Sequence, residues 1–386
     1  MEKPSLPREI LVFYIDAGGG HRAAARALEA ALLARPDLPY RLRLTPLAPL
    51  LAPLDFTARF KGAPMEDTYN EMVRAGRTRF LVPLLRVFQF AIRLRRAAIA
   101  SLIAEELRQV RPAAVLSVTP NFNAPIRDAV REALPGVPFL VLLTDYADFP
   151  PHFWIEPGVD RVIVATEHAA EQAVRTGVPR EQVQRVSGMP LHPRFYPRKG
   201  AADRARIRGE LGFVDEDFVA LLLFGGKGAP ELAPLAEELL ASPGVRVIAV
   251  CGDNPGLYER LAGAEARARG RLVRFGFTDR VPELLAAADV LVTKPGPGSL
   301  AEALHQKVPV VVPSNGRTIP QERWNARFVA DKGLGFVVRH SAEAPAVVRR
   351  LAGDSGLRAQ LQFALRSLGE NRATDEALDA IAAAIR

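Results

Sequence analysis

Short apolar runs alternate with helical stretches along almost the whole chain. In the first half these runs are ILVFYI, YRLRLT, AAVLSV, PFLVLLT and RVIVAT, and in the second half FVALLLF, VRVIAV, RLVRF, DVLVTK, VPVVVP and GFVVR. Most of them are followed by turn residues and then by an amphipathic or alanine-rich segment. Fully apolar strands that alternate with helices are typical of parallel sheets covered on both faces. Two consecutive sets of them predict an α/β protein with two doubly wound domains.

The junction between the two predicted domains lies in SGMPLHPRFYPRKG, residues 187–200. This stretch holds three prolines and two glycines and shows neither a helical nor a strand period. It places the first domain at residues 1–193 and the second at residues 194–386. The last helix, about residues 372–386, is a candidate for packing back on the first domain, but no pattern in the sequence fixes its position.

The overall composition is that of a globular protein without a membrane span. Of the 386 residues, 48% are hydrophobic and 24% are charged, and this length suits two domains better than one core. The single cysteine, Cys251, excludes an internal disulfide and fits a reducing compartment. No run approaches the roughly 18 apolar residues that a span needs, and the first residues lack a signal-peptide core. We therefore expect a cytoplasmic protein.

Positive charge is concentrated in one segment. Lys and Arg outnumber Asp and Glu by 51 to 43, and the net charge of +8 favours an anionic partner. Residues 74–96 contain seven arginines and no acid, interleaved with Phe, Leu and Ile. This composition suits a basic amphipathic helix in a membrane interface, although a core helix with solvated arginines has the same pattern. Nucleic acid is disfavoured because the interleaved residues are mostly aliphatic and no nucleic-acid-binding motif is present.

A membrane-docking segment is therefore predicted over about residues 57–111 of the first domain. Its arginines would face anionic headgroups and its aromatic side chains would enter the acyl region. The candidate membrane-contact residues are Arg77, Arg79, Phe80, Arg86, Phe88 and Arg93.

The first glycine-rich turn, DAGGGHRAA, joins a predicted strand to a helix. Gly18, Gly20 and Ala23 satisfy the G-x-G-x-x-A pattern of dinucleotide-binding turns, but Asp37 precedes the second strand instead of ending it, as that pattern requires. A second interpretation is that the turn delivers His21 to the first turn of a helix at the carboxyl edge of the sheet, where ligands bind. A helix N-terminus disfavours the protonated imidazole and so keeps it available as a base. A histidine that only caps the helix is the alternative.

A second turn, KPGPGS, also joins a predicted strand to a helix. Gly296 and Gly298 let the backbone approach a ligand closely. Ser299 can cap the helix, whose free N–H groups attract an anion. Glu302 falls on the first turn of the helix, within reach of the hydroxyls of a ribose whose phosphates lie beside the glycines.

A third turn, FGGKGAPEL, suits phosphate oxygens and carries Lys227 as a local charge. It is not a P-loop, because the G-x-x-x-x-G-K-[ST] spacing is absent. Two anion-binding turns in one domain favour a diphosphate nucleotide as the ligand. No His/Cys cluster offers zinc spacing, so no metal is expected.

Six segments of the chain together resemble a known family. DAGGGHRAAARAL, TDYADFPPHFW, SGMPLHPRF, FGGKG, KPGPGSLAEAL and PQERWNARFVADKGLG occur in this order over roughly residues 9–340. They are similar to segments of monogalactosyldiacylglycerol synthases and bacterial processive diacylglycerol glycosyltransferases, and more distantly of the lipid II-forming UDP-GlcNAc transferase, all in glycosyltransferase family 28. The resemblance implies the GT-B fold, two Rossmann-like domains facing across a cleft. It also implies that the C-terminal domain binds a UDP-sugar and the N-terminal domain a lipid acceptor.

The resemblance further implies roles for individual residues. His21 matches the family's essential histidine, and Asp145 lies in the acceptor-side segment, so these two are the candidate catalytic residues. The candidate acceptor-binding residues are Gly18, Gly19, Gly20 and His152. The candidate nucleotide-sugar-binding residues are Gly225, Gly226, Lys227, Gly228, Lys294, Gly296, Gly298, Ser299, Glu302, Gln321 and Glu322. Gln321 and Glu322 are the ones expected to bind the sugar hydroxyls.

Two segments depart from the family's pattern. The loop GGKG is shorter than the acidic glycine-rich loop of the plant galactosyltransferases, which leaves the donor sugar open. TDYADFPPHFW departs from the more usual TD-x-x-x-x-H-x-x-W spacing, which leaves open the aromatic or histidine side chain that faces the acceptor.

The expected reaction is attack of an acceptor hydroxyl on the anomeric carbon of a UDP-α-sugar, with inversion. His21, oriented by Asp16 at the end of the first strand, would remove the proton, and two helix N-termini would stabilise the leaving UDP without a metal. The expected partners are a UDP-sugar, a lipid acceptor such as diacylglycerol and an anionic membrane, with the enzyme peripheral on the inner face of the cell membrane.

Two alternatives to this reaction stay open. One is a UDP-GlcNAc-type transferase or an epimerase that acts on a soluble or polyprenyl-linked acceptor. The other is a nucleotide-sugar-binding protein without activity, which is disfavoured because the chain retains both the His21 turn and the Glu302, Gln321 and Glu322 set. The oligomeric state stays open as well.

Overall fold

The computed structural model describes residues 7–16, 19–54, 81–316 and 318–385, and of residues 81–84 the backbone alone. These ranges form two parallel sheets of six strands each, with helices between most successive strands. Contacts divide the chain into two compact units. The first is Met1–Pro193 with Ile319–Trp324 and Asn371–Arg386, and the second is Arg194–Thr318 with Asn325–Glu370. The predicted pair of doubly wound α/β sheets is confirmed.

The first unit is built around a sheet with the strand order β2-β1-β3-β4-β5-β6. Its strands are β1 Arg8–Tyr14, β2 Tyr40–Pro46, β3 Ala114–Ser117, β4 Phe139–Leu142, β5 Arg161–Val164 and β6 Val183–Arg185. Its helices up to the end of the sheet are α1 Gly20–Leu32, α2 Leu47–Leu51, α3 Leu81–Leu94, α4 Arg96–Val110, α5 Asn123–Ala133 and α6 Glu167–Arg175. Every residue of β3 and β4 is buried, as expected for apolar runs covered on both faces.

The second unit repeats this architecture with the strand order β12-β11-β10-β7-β8-β9. Its strands are β7 Phe218–Leu223, β8 Val245–Val250, β9 Leu272–Phe275, β10 Val290–Val292, β11 Val310–Pro313 and β12 Gly335–Val338. Its helices are α7 Ala201–Glu210, α8 Leu232–Leu240, α9 Pro255–Ala268, α10 Val281–Ala287, α11 Pro297–His305, α12 Pro320–Asp331, α13 Ala344–Gly353 and α14 Ser355–Ser367. The contacts of the first turn of α12 group it with the first unit.

The last helix, α15 Ala373–Ile385, belongs to the first unit. Along β1, side chains alternate between the two faces of the sheet. Leu11 and Phe13 pack in the core cluster that contains Trp154, whereas Ile10 and Val12 pack in a second cluster with residues of α1 and α15. The apolar side of α15 therefore covers part of the face that α1 also covers.

No helix in the described ranges is long and apolar enough to cross a membrane.

The carboxyl ends of β1, β3 and β4 lie at one edge of the first sheet because the strands pair in parallel. The loops that follow these three strands are therefore neighbours in space, although they are far apart in the sequence.

Candidate active site

The turn between β1 and α1 presents His21 as the second residue of the helix. Gly19 precedes the helix with a φ of 81°, in the left-handed region that favours glycine. The predicted Gly18 lies outside the described residues, whereas Gly20 begins α1. Glycine at position 19 thus lets the chain turn sharply from the strand into the helix and brings His21 to the carboxyl edge of the sheet.

The imidazole of His21 is held by a residue that the sequence analysis missed. Its Nδ1 atom lies 2.8 Å from Oγ1 of Thr144, just beyond the end of β4. Burial lowers the pKa of His21 to about 4, so the ring is neutral at physiological pH. The predicted contact with Asp16 is wrong, because Asp16 pairs with Arg22 at 2.7 Å. Thr144 was identifiable only as a polar residue at the end of a predicted neighbouring strand.

Trp154 and Asp145 lie beside His21 in the buried part of the site. The rings of His21 and Trp154 meet edge to face, with centroids 5.3 Å apart. The indole N–H of Trp154 donates to Oδ2 of Asp145 at 3.0 Å, and both side chains are buried. Asp145 is thus bound to the tryptophan that contacts His21. Sequence reasoning identified Asp145 but left open which aromatic residue of TDYADFPPHFW contributes.

A second carboxylate, Asp148, shapes the same loop and was not identified from the sequence. Its oxygens accept hydrogen bonds from the backbone N–H groups of Trp154, at 2.6 Å, and His152, at 3.1 Å. Burial raises the pKa of Asp148 to about 6. These hydrogen bonds from the backbone to the Asp148 carboxylate therefore stabilise the turn between Asp148 and Trp154.

His152 is exposed and lines a separate polar pocket of about 250 Å³. Its Nδ1 atom lies 3.9 Å from Oε1 of Glu156. Burial raises the pKa of Glu156, and the charges of His152 and the nearby arginines oppose that shift. The other lining residues are Gln89, Ile92, Arg93, Arg96, Asn121, Ala124 and Pro125. This pocket offers several hydrogen-bonding groups to a polar ligand at the same edge of the sheet.

In the second unit, the turn after β7 has the glycine geometry that close packing requires. Gly225 and Gly228 have φ values of 80° and 63°. A Cβ atom on Gly228 would lie 2.4 Å from the carbonyl oxygen of Cys251, in the loop after β8. In that loop Gly252 is equally confined, because its Cβ would lie 2.4 Å from the carbonyl oxygen of Gly226. Gly252 was missed because the packing of two backbones leaves no pattern in either segment.

The two lysines predicted for the phosphate turns differ in their surroundings. Lys227 is exposed and pairs with Asp253 at 2.6 Å, so its charge is already balanced. Lys294 lies against the other turn, since its Cε would be 3.5 Å from a Cβ on Gly225. The turns after β7 and β10, predicted separately, therefore adjoin within the second unit.

The turn after β10 leads into α11 through Gly296, which is the N-cap of the helix. Ser299 does not cap the helix as predicted; it lies three residues past the cap, and no side chain caps this end. The first N–H groups of a helix have no partner within it, and here those of Gly298 and Ser299 are the first available. Asn325, which is fully buried, fixes the turn by donating from Nδ2 to the carbonyl of Pro295 at 2.9 Å.

Glu302 lies in the second turn of the same helix, not in the first turn as predicted, because the helix begins at Pro297. Its side chain is partly buried. Burial raises its pKa to about 7, and the charge of Arg194 opposes the shift. Gln321 and Glu322 lie in the first turn of α12, which the contacts assign to the first unit. In that turn Trp324 stacks on His168 with centroids 4.5 Å apart.

In the described ranges, no three His, Cys, Asp or Glu side chains are grouped as a metal ion would need.

Part of the predicted membrane-docking segment is described. Arg77, Arg79 and Phe80 lie outside the described residues, and Arg86, Phe88 and Arg93 lie on α3. Phe88 packs inward against Phe122, with ring centroids 5.9 Å apart, so it does not point outward as predicted. Three other apolar residues of α3 are exposed instead: Val87, Phe90 and Leu94, at 63%, 65% and 76%.

Solved structures share this two-sheet architecture. MurG of Acinetobacter baumannii superposes with a TM-score of 0.63 at 16% identity, covering 97% of this chain and 99% of that one. HepE of Anabaena, in a complex with UDP-glucose, superposes with a TM-score of 0.54 at 15% identity, covering 97% and 98%. The two doubly wound sheets are the GT-B fold of glycosyltransferases.

The sequence comparisons specify the family. The monogalactosyldiacylglycerol (MGDG) synthase model matches residues 54–191, and the glycosyltransferase family 28 C-terminal domain matches residues 220–352. The chain is 27% identical to monogalactosyldiacylglycerol synthase of Spinacia oleracea over 372 residues, 91% of this chain and 67% of that protein. It is 27% identical to the processive diacylglycerol β-glucosyltransferase of Bacillus cereus over 279 residues, 72% and 69%. The first part of the chain therefore matches the MGDG synthases and the second part the family 28 glycosyltransferases, which confirms the resemblance that the motifs predicted.

Proposed function

We propose that this glycosyltransferase moves a hexose from a UDP-sugar to a hydroxyl of a membrane lipid, with diacylglycerol as the acceptor and with inversion at the anomeric carbon. The two family matches support the transfer reaction. The names of the relatives from spinach and Bacillus cereus support diacylglycerol as the acceptor. The UDP-glucose complex of HepE supports a UDP-sugar as the donor.

His21 is the proposed general base, and its geometry is the observation that carries the proposal. Because Thr144 lies 2.8 Å from Nδ1, that nitrogen can donate its proton to the hydroxyl oxygen, which leaves the lone pair of Nε2 for the acceptor hydroxyl. The lowered pKa keeps the imidazole neutral and so able to accept a proton. A positioned base of this kind contributes about 10²–10⁴-fold to the rate. Asp145, bound to the indole of Trp154, is the second candidate for this role.

The two adjoining turns of the second unit are the proposed donor site. The leaving UDP gains negative charge, which the N–H groups at the start of α11 and in the Gly225–Gly228 turn would stabilise. The carboxylate of Glu302 would accept hydrogen bonds from the ribose hydroxyls. Gln321 and Glu322 are proposed, by resemblance to the family, to bind the sugar hydroxyls.

Helix α3 is the proposed membrane contact. Val87, Phe90 and Leu94 lie one helical turn apart along one side and are exposed, while Arg86 and Arg93 flank them. Apolar side chains beside arginines suit the boundary between acyl chains and anionic headgroups. This arrangement favours a lipid acceptor over a soluble one, and it supports a peripheral position on the inner face of the cell membrane.

The test is a transfer assay with a panel of UDP-hexoses and UDP-N-acetylhexosamines. The purified chain would be incubated with anionic vesicles that contain diacylglycerol, with vesicles that lack it, and with a soluble or polyprenyl-linked acceptor. We expect a β-linked hexosyl diacylglycerol, identified by mass and by the coupling constant of its anomeric proton. Transfer only to the other acceptors, or epimerisation of the donor, would overturn the proposal.

A further inference from the structure

Trp154 is fixed at each of its hydrogen-bonding groups by a different side chain. Its indole N–H donates to Asp145 at 3.0 Å, and its backbone N–H donates to Asp148 at 2.6 Å. Its carbonyl accepts from Nδ2 of Asn123 at 2.6 Å. The whole residue is buried, with no exposed side-chain surface. A tryptophan held in this way has one position, and its ring meets the ring of His21.

Of the three anchors, Asp148 connects Trp154 to the rest of the unit. One of its oxygens holds Trp154, and the other accepts from the backbone N–H of His152. Gln172 of α6 forms two hydrogen bonds with the backbone of Asp148. Its side chain accepts from the N–H of Asp148 and donates to the carbonyl of Asp148, both at 2.9 Å. The carboxylate thus closes the turn, and α6 holds the turn in place.

We propose that Asp148 is a positioning residue for His21 and acts through Trp154. The proposal rests on the proposed role of His21 as the general base. Thr144 holds Nδ1 of the imidazole, and the indole of Trp154 limits the tilt of the ring. Together these contacts set the direction of Nε2. Without the carboxylate the backbone N–H of Trp154 loses its acceptor, the turn relaxes and the indole shifts. A misplacement of about 1 Å at a reacting group can cost about 10²-fold in rate.

The position of Trp154 can be followed directly by its fluorescence. The chain has two tryptophans, Trp154 and Trp324, and Trp324→Phe retains a ring that can stack on His168. In this background the emission comes from Trp154 alone. We expect Asp148→Ala to shift the emission to longer wavelength and to increase acrylamide quenching, because the indole becomes mobile and meets water.

The same variants would be assayed for transfer under the conditions given above. We expect kcat to fall about 10- to 100-fold in Asp148→Ala, while the KM for the UDP-sugar stays within about twofold, because the turns proposed to bind UDP belong to the second unit and make no described contact with Asp148. Asp148→Asn keeps one acceptor oxygen, so its effects on emission and kcat should be smaller. Gln172→Ala removes both hydrogen bonds to the backbone of Asp148 and no direct contact of Trp154. We expect it to change the emission and kcat in the same direction as Asp148→Ala.

Asp160→Asn is the matched control. Asp160 also accepts a hydrogen bond from a backbone N–H, that of Phe139 at 2.7 Å, in the same unit but before β5. Like Asp148→Asn, this variant keeps one acceptor oxygen, so it should lower stability only slightly, and it should leave the emission of Trp154 and kcat unchanged. The proposal would be overturned by Asp148→Ala and Gln172→Ala variants that keep wild-type kcat, whether or not the emission shifts, or by an equal loss of kcat in Asp160→Asn.

The base assignment is tested separately by His21→Gln. Full turnover in that variant would refute His21 as the base. The emission shift of Asp148→Ala does not depend on the reaction, so it would still report whether Asp148 fixes Trp154. The two failures are therefore distinguishable.

Discussion

Gly252 lies so close to Gly226 that a Cβ atom on Gly252 would be 2.4 Å from the carbonyl oxygen of Gly226. Gly252 also has a φ of 61°, which strains other residues. We therefore expect Gly252→Ala to push the turn after β7 out of place. It should lower the free energy of unfolding by about 1–3 kcal/mol and weaken UDP binding about tenfold. Urea denaturation and calorimetric titration with UDP would measure the two effects.

Gly244→Ala is the control for this variant. Gly244 has a φ of 77°, but nothing lies within 4 Å of a Cβ placed there. Its replacement should cost stability through backbone strain alone and leave UDP affinity unchanged. Equal affinity in Gly252→Ala and the wild type would show that the turn after β7 does not bind the diphosphate.

The pKa of His21 predicts a pH dependence of stability. The folded pKa is lowered from 6.5 to about 4, so between these values the unfolded chain binds a proton that the folded chain does not. The contribution of His21 to the free energy of unfolding is therefore full above pH 6.5 and is lost as the pH falls towards 4. We expect the wild type to lose about 1–2 kcal/mol more than His21→Gln between pH 7 and pH 5. Denaturant unfolding at the two pH values would measure this difference.

The comparison with His21→Gln is needed because the titration of Asp148 changes stability in the opposite direction. Its pKa is raised to about 6, so its contribution becomes less favourable as the pH rises from 3.8 to 6. Asp148 is present in both proteins, and the difference between them isolates His21. An identical pH dependence in both would show that His21 titrates normally in the folded chain.

Glu302 predicts a pH dependence of donor binding. Burial raises its pKa to about 7, and the ionised form is the better acceptor for ribose hydroxyls. Affinity for UDP-glucose, whose phosphates do not titrate in this range, should therefore rise from pH 6 to pH 8. Glu302→Gln should bind about 10- to 100-fold more weakly than the wild type at pH 8, with no dependence on pH.

Glu283→Gln serves as the control for this titration. Glu283 lies on α10, a different helix of the same unit from the one that carries Glu302, and it pairs with Arg280 at the start of α10. The variant should bind UDP-glucose as the wild type does at each pH. A rise in affinity that persists in Glu302→Gln would assign the titration to another group.

The two sides of α3 predict opposite outcomes for substitution. Phe90→Glu and Leu94→Glu alter exposed side chains and should leave the free energy of unfolding within about 0.5 kcal/mol. They should weaken binding to vesicles that contain anionic lipid at least fivefold, measured by co-sedimentation. Phe88→Ala removes an inward contact with Phe122 and should instead lower stability by about 1–3 kcal/mol.

Neutral vesicles complete this experiment. Because arginines flank the apolar side, binding should be stronger to anionic than to neutral vesicles and should weaken with salt. Wild-type binding in both glutamate variants would show that α3 does not dock at the membrane, and it would favour the alternative that the sequence left open, a core helix with solvated arginines.

The fold was predictable because apolar strands and amphipathic helices leave a local pattern. The runs ILVFYI and PFLVLLT became β1 and β4 as expected, and parallel order alone placed His21 and the end of β4 at one edge. The glycine turns were predictable for the same reason, since each falls between an apolar run and a helix.

The partners of His21 were not predictable, because they depend on the order of strands in the sheet. Thr144 is 123 positions from His21, and only the path β1-β3-β4 brings the two loops together. Asp16 was the nearest acid in the sequence, but the helix turns Arg22 towards it instead. Trp154 and Asp148 were hidden in a loop with no period, where side-chain-to-backbone hydrogen bonds decide the shape.

The membership of α15 in the first unit has a consequence for how this protein can be made. The ribosome completes the six strands of the first sheet long before it synthesises residues 373–385, which cover Ile10 and Val12. Until then α1 covers that face without α15, so we expect the first unit to complete its core only after the whole second unit has been translated. A fragment cut after Pro193 would lack α15 permanently, and an attempt to produce it alone should give an aggregating species instead of an isolated domain.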